Sequence, residues 1–121
     1  MVLAMDDRPA GYDYPPEVRF QIQANRLADY EVAADLLNIN QIDVAFLQHE
    51  FGIFGGDAGE HVFALAQNLR VPLATTLHTV LASPNDDQRQ VMRRLAGMSD
   101  RLVVMCQAAA DILQGTYGVS G

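Results

Sequence analysis

From residue 18 onward the apolar residues change period along the chain again and again, and this constrains the fold more than any other feature. Val18-Arg19-Phe20-Gln21-Ile22-Gln23 alternates with period two, which predicts a half-exposed strand. Over 28–39 the period becomes helical, with Val32, Ala33, Leu36 and Leu37 on one stripe and acids on the other face. Asp43 to Leu47 is a short, nearly continuous apolar run of the kind that suits a strand buried on both faces. Val62, Leu65, Ala66 and Leu69 return to helical spacing, and Val71 to Leu77 reads as another buried strand with Pro72 near its start. A helix start follows at Ser83-Pro84-Asn85-Asp86. Ser83 caps, Pro84 takes the first helical position, and Val91, Met92 and Leu95 form the apolar stripe. Arg101 to Met105 is a further buried strand, and a last helix carrying Ala108, Ile112 and Leu113 ends near Gly118. Strand and helix thus alternate four times, which predicts an α/β fold with a parallel sheet. Before this stretch, Val2 to Met5 reads as one more strand and the Pro- and Gly-punctuated residues 8–17 as a loop.

The chain has 121 residues, half of them hydrophobic, which is one domain's worth of an ordinary globular composition. No apolar run approaches the roughly 18 residues that a bilayer span needs, and the start carries no signal-peptide pattern. The formal charge of −7 argues against a sequence-independent grip on nucleic acid or anionic lipid. All eight basic residues are Arg, so a P-loop lysine, a Schiff-base lysine and an anchor for pyridoxal phosphate are excluded within this chain. The single Cys106 excludes an internal disulfide and fits a reducing compartment. The expected location is cytoplasmic.

In open parallel sheets, ligands bind beyond the carboxyl ends of the strands. Asp6 and Asp7 follow the first strand and read as a solvated strand end. Gln48-His49-Glu50-Phe51-Gly52-Ile53-Phe54-Gly55-Gly56 follows the 43–47 strand, His78-Thr79 follows the next, and Cys106-Gln107 the last. Two of the three histidines therefore fall on one rim, beside a carboxylate and a glycine-rich loop, while His61 falls in the helix after that loop. The glycines at 52, 55, 56 and 59 do not match a dinucleotide fingerprint. The plain alternative is a tight turn between strand and helix. Phe51, Ile53 and Phe54 are either tucked under the loop or form a contact surface for a partner. His49, Glu50 and His61 lack the spacing of a zinc-protease motif, and no metal is expected. His78 can serve as acid, base or hydrogen-bond donor near neutral pH, or be a structural residue only. Cys106 reads as a buried, inert thiol, and Arg89, Arg93 and Arg94 as a solvated helix face.

Three segments carry a resemblance: Leu47-Gln48-His49-Glu50-Phe51-Gly52-Ile53-Phe54-Gly55-Gly56, Pro72-Leu73-Ala74-Thr75-Thr76-Leu77-His78-Thr79-Val80, and Ser99-Asp100-Arg101-Leu102-Val103-Val104-Met105. Together with Ala4-Met5-Asp6-Asp7-Arg8-Pro9 and Tyr12-Asp13-Tyr14-Pro15-Pro16-Glu17-Val18, they resemble the N-terminal domain of bacterial group 1 (family 4) glycosyltransferases of GT-B architecture. The resemblance implies the acceptor-side half of an enzyme that moves a sugar from a nucleotide-sugar donor to a sugar or glycoconjugate acceptor, with retention of configuration and no cofactor. It implies a three-layer Rossmann-like parallel sheet flanked by helices, lacking the family's first strand and helix. It assigns His78 a catalytic position at the cleft. His49, Glu50, Gly55, Gly56 and Thr79 inherit substrate-binding positions. By the same resemblance the chain is a fragment that is inactive without a nucleotide-gripping domain. Removal of a mid-sheet strand predicts either direct pairing of the strands at 2–5 and 43–47, or a homodimer in which a second chain fills the gap. The alternative function is a non-enzymatic α/β module that binds a partner or ligand through the apolar 51–54 loop.

Overall fold

A computed structural model describes residues 1–120. It contains five parallel strands in two sheets. β1 (Val2–Asp6) pairs with β2 (Val18–Gln23), with a register slip between Val2 and Leu3. β3 (Ala45–His49), β4 (Leu73–Leu77) and β5 (Arg101–Val104) form the second sheet in that order. Ala45 stands opposite Leu73 and His49 opposite Leu77; Ala74 stands opposite Arg101 and Leu77 opposite Val104. Parallel neighbours need crossover connections. α2 (Val62–Ala66) joins β3 to β4, and α3 (Asp86–Met98) joins β4 to β5. α1 (Leu27–Ile39) leads from β2 into β3, and α4 (Gln107–Tyr117) follows β5.

One core holds these elements together. Tyr30, Ala33 and Ala34 of α1, Val62, Phe63 and Leu65 of α2, Val91, Met92 and Leu95 of α3, and Leu113 and Tyr117 of α4 belong to one buried cluster with Ile22 and Leu77 of the strands. The expected third layer is absent among the described residues. Strand alternation sends Leu47, Leu77, Leu102 and Val104 toward the helices and Phe46, Thr76 and Val103 the other way. Phe46 is 71% exposed and Val103 47%. The reason lies in the connections. Right-handed crossovers that step the same way across a sheet put their helices on one face. The link from β1 to β2 is the helix-free loop 7–17, so it brings nothing to the other face. The fold is α/β with parallel strands and helices on one side.

The expected closure of the sheet by direct pairing does not occur. β1 is hydrogen-bonded only to β2, and β3 only to β4. β3 also lies two residues later than the apolar run suggested, at Ala45–His49, because its register is set by β4 and not by the hydrophobicity of Asp43-Val44.

The helix ends correct two further expectations. α3 is capped by Asn85, not Ser83. The Asn85 carboxamide oxygen accepts from the Gln88 amide at 2.8 Å, and the Gln88 side chain accepts from the Asn85 amide at 2.9 Å. This reciprocal box satisfies two orphan donors, and Asp86 and Asp87 face the positive end of the helix. Arg89 and Arg93 are not merely solvated. Arg89 donates to the Thr116 carbonyl, and Arg93 Nε to the Tyr117 carbonyl at 2.9 Å. They neutralise the carboxyl end of α4, whose last turn closes on Gly118 at φ +69°. Removing both guanidinium groups (Arg89→Ala with Arg93→Ala) is expected to lower unfolding stability by about 1–3 kcal/mol. Urea denaturation of the double variant reads this loss, and an unchanged midpoint would show that water replaces the two bonds at no cost.

Candidate functional site

β3 and β4 end side by side, and the His78 amide donates to the His49 carbonyl at 3.0 Å, extending their ladder by one step. This register fixes the rim. Gln48 points to the uncovered face of the sheet, and its Oε1 lies 2.8 Å from His78 Nε2. The two side chains thus form a hydrogen bond across the strand ends. His78 is exposed. Glu50 and Thr79 are half-buried beside this pair, and the Thr79 hydroxyl donates to Glu50 Oε2 at 2.7 Å. Two bonds thus pair Gln48 with His78 and Glu50 with Thr79 where the two strands end. The second carboxylate oxygen of Glu50, not used in the bond to Thr79, is an acceptor available to a ligand. Among the described residues no arginine bonds to these four side chains, so they supply little for a phosphate.

Of the residues singled out in the sequence, His78 and Thr79 each bond a side chain that follows or ends β3, Gln48 and Glu50 respectively. His49 bonds none of them. Alternation turns its ring to the helix side, where it is wholly buried. The ring meets Phe51 edge-on at 5.1 Å between centroids and stacks on Phe54 at 5.7 Å. Neither ring nitrogen has a hydrogen-bond partner. Burial holds the imidazole in its neutral form, with the pKa lowered from 6.5 to about 4; Glu50 raises it and His78 lowers it further, both to a lesser degree.

Gly55 and Gly56 are also placed away from the patch, and both serve close packing. A Cβ on Gly55 would stand 2.1 Å from the Ala24 carbonyl oxygen and 2.7 Å from His61 Nδ1. The Gly55 amide donates to the Tyr30 hydroxyl at 3.2 Å, which in turn donates to the Ala24 carbonyl at 2.7 Å. Gly56 adopts φ +80°, where a side chain would meet the His61 ring. The loop is thus fastened to the segment after β2. Phe54 is buried and Phe51 half-buried, so of the three apolar loop residues only Ile53 is exposed.

Two other sequence readings change. Asp6 is not a solvated strand end: it is 1% exposed and accepts from the Tyr14 hydroxyl at 2.5 Å, while Asp7 accepts from Tyr12. These bonds raise the phenol pKa values, that of Tyr14 to about 12, because each hydroxyl is held protonated against a carboxylate. Cys106 is exposed, not buried, at the start of α4. His49, Glu50 and His61 do not converge, and no cluster of three or more metal-ligating side chains exists among the described residues. A groove between the ends of α3, β5 and α4, lined by Ala96, Leu102, Leu113 and Val119, contains none of the candidate residues.

No protein-family model, curated protein or solved structure matches the chain. Among the described residues no helix is long and apolar enough to cross a membrane.

Proposed function

We propose that the chain is the acceptor-side half of a retaining glycosyltransferase, and that the patch of Gln48, Glu50, His78 and Thr79 binds a hydroxyl-rich sugar or glycoconjugate acceptor. The observation that carries this reading is the pair of cross-strand bonds, His78 to Gln48 and Thr79 to Glu50, at the carboxyl ends of adjacent parallel strands. Such a patch presents acceptors to ligand hydroxyls, and Glu50 contributes the stronger, charge-assisted kind. His78 is the proposed catalytic residue at the cleft. Glu50 and Thr79 are the substrate-binding residues, with His49, Gly55 and Gly56 supporting the loop that carries Glu50. The sugar itself comes from a nucleotide-sugar donor, and no cofactor is invoked.

Transfer requires stabilisation of a leaving diphosphate, which this patch is not built to supply. The isolated chain is therefore expected to show no turnover of a nucleotide sugar, measured by release of the nucleotide diphosphate. Release of the nucleotide diphosphate by the isolated chain would contradict this. Binding of neutral disaccharides, followed by saturation-transfer NMR, is expected to weaken roughly tenfold or more in Glu50→Gln, the loss typical of a charge-assisted hydrogen bond.

A second reading, a partner-binding module, is favoured by a different observation. Phe46, Val103 and Met105 are exposed on or just beyond β3 and β5, whereas Phe54 of the 51–54 loop is buried. All-parallel sheets are rarely bare on one face, and both β1 and β3 keep an unpaired edge. A homodimer that covers these features would sediment at twice the 13.3 kDa chain mass. A monomer at high protein concentration would count against it.

A further inference from the structure

The loop that follows β3 is closed over an ionisable group that has no hydrogen-bonding partner. His49 is wholly buried, and both ring nitrogens lack partners. Its ring fills the space between Phe51 and Phe54, so the loop's two inward aromatics depend on it for their packing. Gly52 sits at φ +94° with open space around it, and Gly56 at φ +80°, so the segment 52–56 is bounded by two residues in conformations that glycine adopts readily. The hydrogen bonds of the 50–56 loop are the Gly55 amide on the Tyr30 hydroxyl at 3.2 Å, the Ile53 amide on the Glu50 carbonyl at 3.4 Å, the Thr79 hydroxyl on Glu50 at 2.7 Å, and the His61 and Gly59 amides on the Gly55 and Gly56 carbonyls at 3.0 and 3.1 Å.

We propose that His49 is an acid-released latch: while its imidazole is neutral it holds the 50–56 loop against the core, and its protonation frees that loop. An imidazolium in this position finds no acceptor, and a buried unpaired charge is the cost set against these hydrogen bonds and the two aromatic contacts. The charged groups that act on the ring are Glu50, on the loop itself, and His78, at the end of β4. Across β4 its register partner is the apolar Leu77, and the Tyr30 hydroxyl of α1 is already committed to Ala24 and Gly55. Glu50 favours the protonated ring and His78 opposes it, and burial outweighs both.

The sign follows directly. Above pH 6.5 the ring is neutral in the closed and open forms alike, and closure is at full strength. Between 6.5 and about 4 the open form binds the proton and the closed form does not, so acid drives opening. Opening also draws Glu50 from Thr79, which would take the patch apart. The latch itself does not rest on reading that patch as a sugar site.

Amide hydrogen exchange on the whole chain tests it, with rates corrected for the intrinsic effect of pH. From pH 7.5 to 4.5 the Gly55 amide is expected to gain roughly fifty- to a hundredfold in opening equilibrium, while the α3 amides stay protected. His49→Phe keeps an aromatic ring in the space and is expected to abolish that gain. An equal gain in His49→Phe, no gain in the unmodified chain, or loss of the loop only together with α3 would each overturn the latch. Should His49→Phe fail to fold, imidazole NMR of the unmodified chain decides. The His49 titration must coincide with the Gly55 opening, and a His49 ring that titrates near 6.5 without opening refutes the proposal.

Discussion

Gly55→Ala is expected to lower the stability of the fold by about 3 kcal/mol, the upper end of the range for overpacking a filled interior. The added methyl would sit 2.1 Å from the Ala24 carbonyl oxygen, 2.7 Å from His61 Nδ1 and 2.8 Å from Asn25 Oδ1. The first of these is backbone, held by the Tyr30 hydroxyl, and cannot rotate aside. The loop must therefore lift away, and lifting breaks the bond from the Gly55 amide to Tyr30. Gly97→Ala is the control. Gly97 lies inside α3 with nothing within 4 Å of the added atom, so there the methyl is expected to stabilise by about 0.5–1 kcal/mol through helix propensity. Urea denaturation of the two variants should move the midpoint in opposite directions. A Gly55→Ala midpoint within error of the unmodified chain would mean that the loop does not pack on the segment after β2.

The second large effect belongs to Tyr30. Its side chain is wholly buried in the core, and its hydroxyl both accepts from Gly55 and donates to Ala24. Tyr30→Ala is expected to cost about 3–5 kcal/mol, as large aromatic truncations do when the cavity cannot collapse. Tyr30→Phe isolates the hydroxyl and is expected to cost about 1–3 kcal/mol, since it strands a buried amide and a carbonyl. Val32→Ala should stay within about 0.5 kcal/mol, because Val32 is 49% exposed. A large loss from Val32 and a small one from Tyr30 would reverse the orientation of α1.

That comparison also marks where the sequence stops being legible. Helical spacing located α1 correctly, and of its stripe Ala33 is buried and Leu37 packs against the core, but Val32 is 49% exposed and the stripe omitted Tyr30 and Ala34. The helix turns Tyr30, Ala33 and Ala34 inward. Two alanines allow a close approach, and a tyrosine with partners for its hydroxyl is as good a core residue as a valine. Hydrophobicity alone registers neither point. The order of strands and helices was readable because each element keeps its own period over a whole run. Boundaries were less so: β3 is placed by its register with β4, and α3 is capped at Asn85, where Gln88 completes a reciprocal box.

The candidate site divides the same way. His78, Glu50 and Thr79 were visible as polar residues following strand ends. Gln48 was passed over because the strand was expected to stop at Leu47; with β3 continuing to His49, Gln48 occupies the outward position facing His78. The same extension turns His49 inward, so a one-residue alternation separates a rim residue from a core residue. The absence of a helix layer on the Phe46 face was not legible from any single segment. It follows from the direction of the crossovers and from the helix-free link between β1 and β2.

The most direct test of the central claim is the location of sugar binding, read by amide and imidazole NMR shifts of the labelled chain titrated with neutral disaccharides. The account predicts saturable shifts at Gln48, Glu50, His78 and Thr79, lost together in His78→Ala with the rest of the spectrum unchanged. Shifts confined to Phe46, Val103 and Met105, or no saturable shift at the four rim residues, would contradict it.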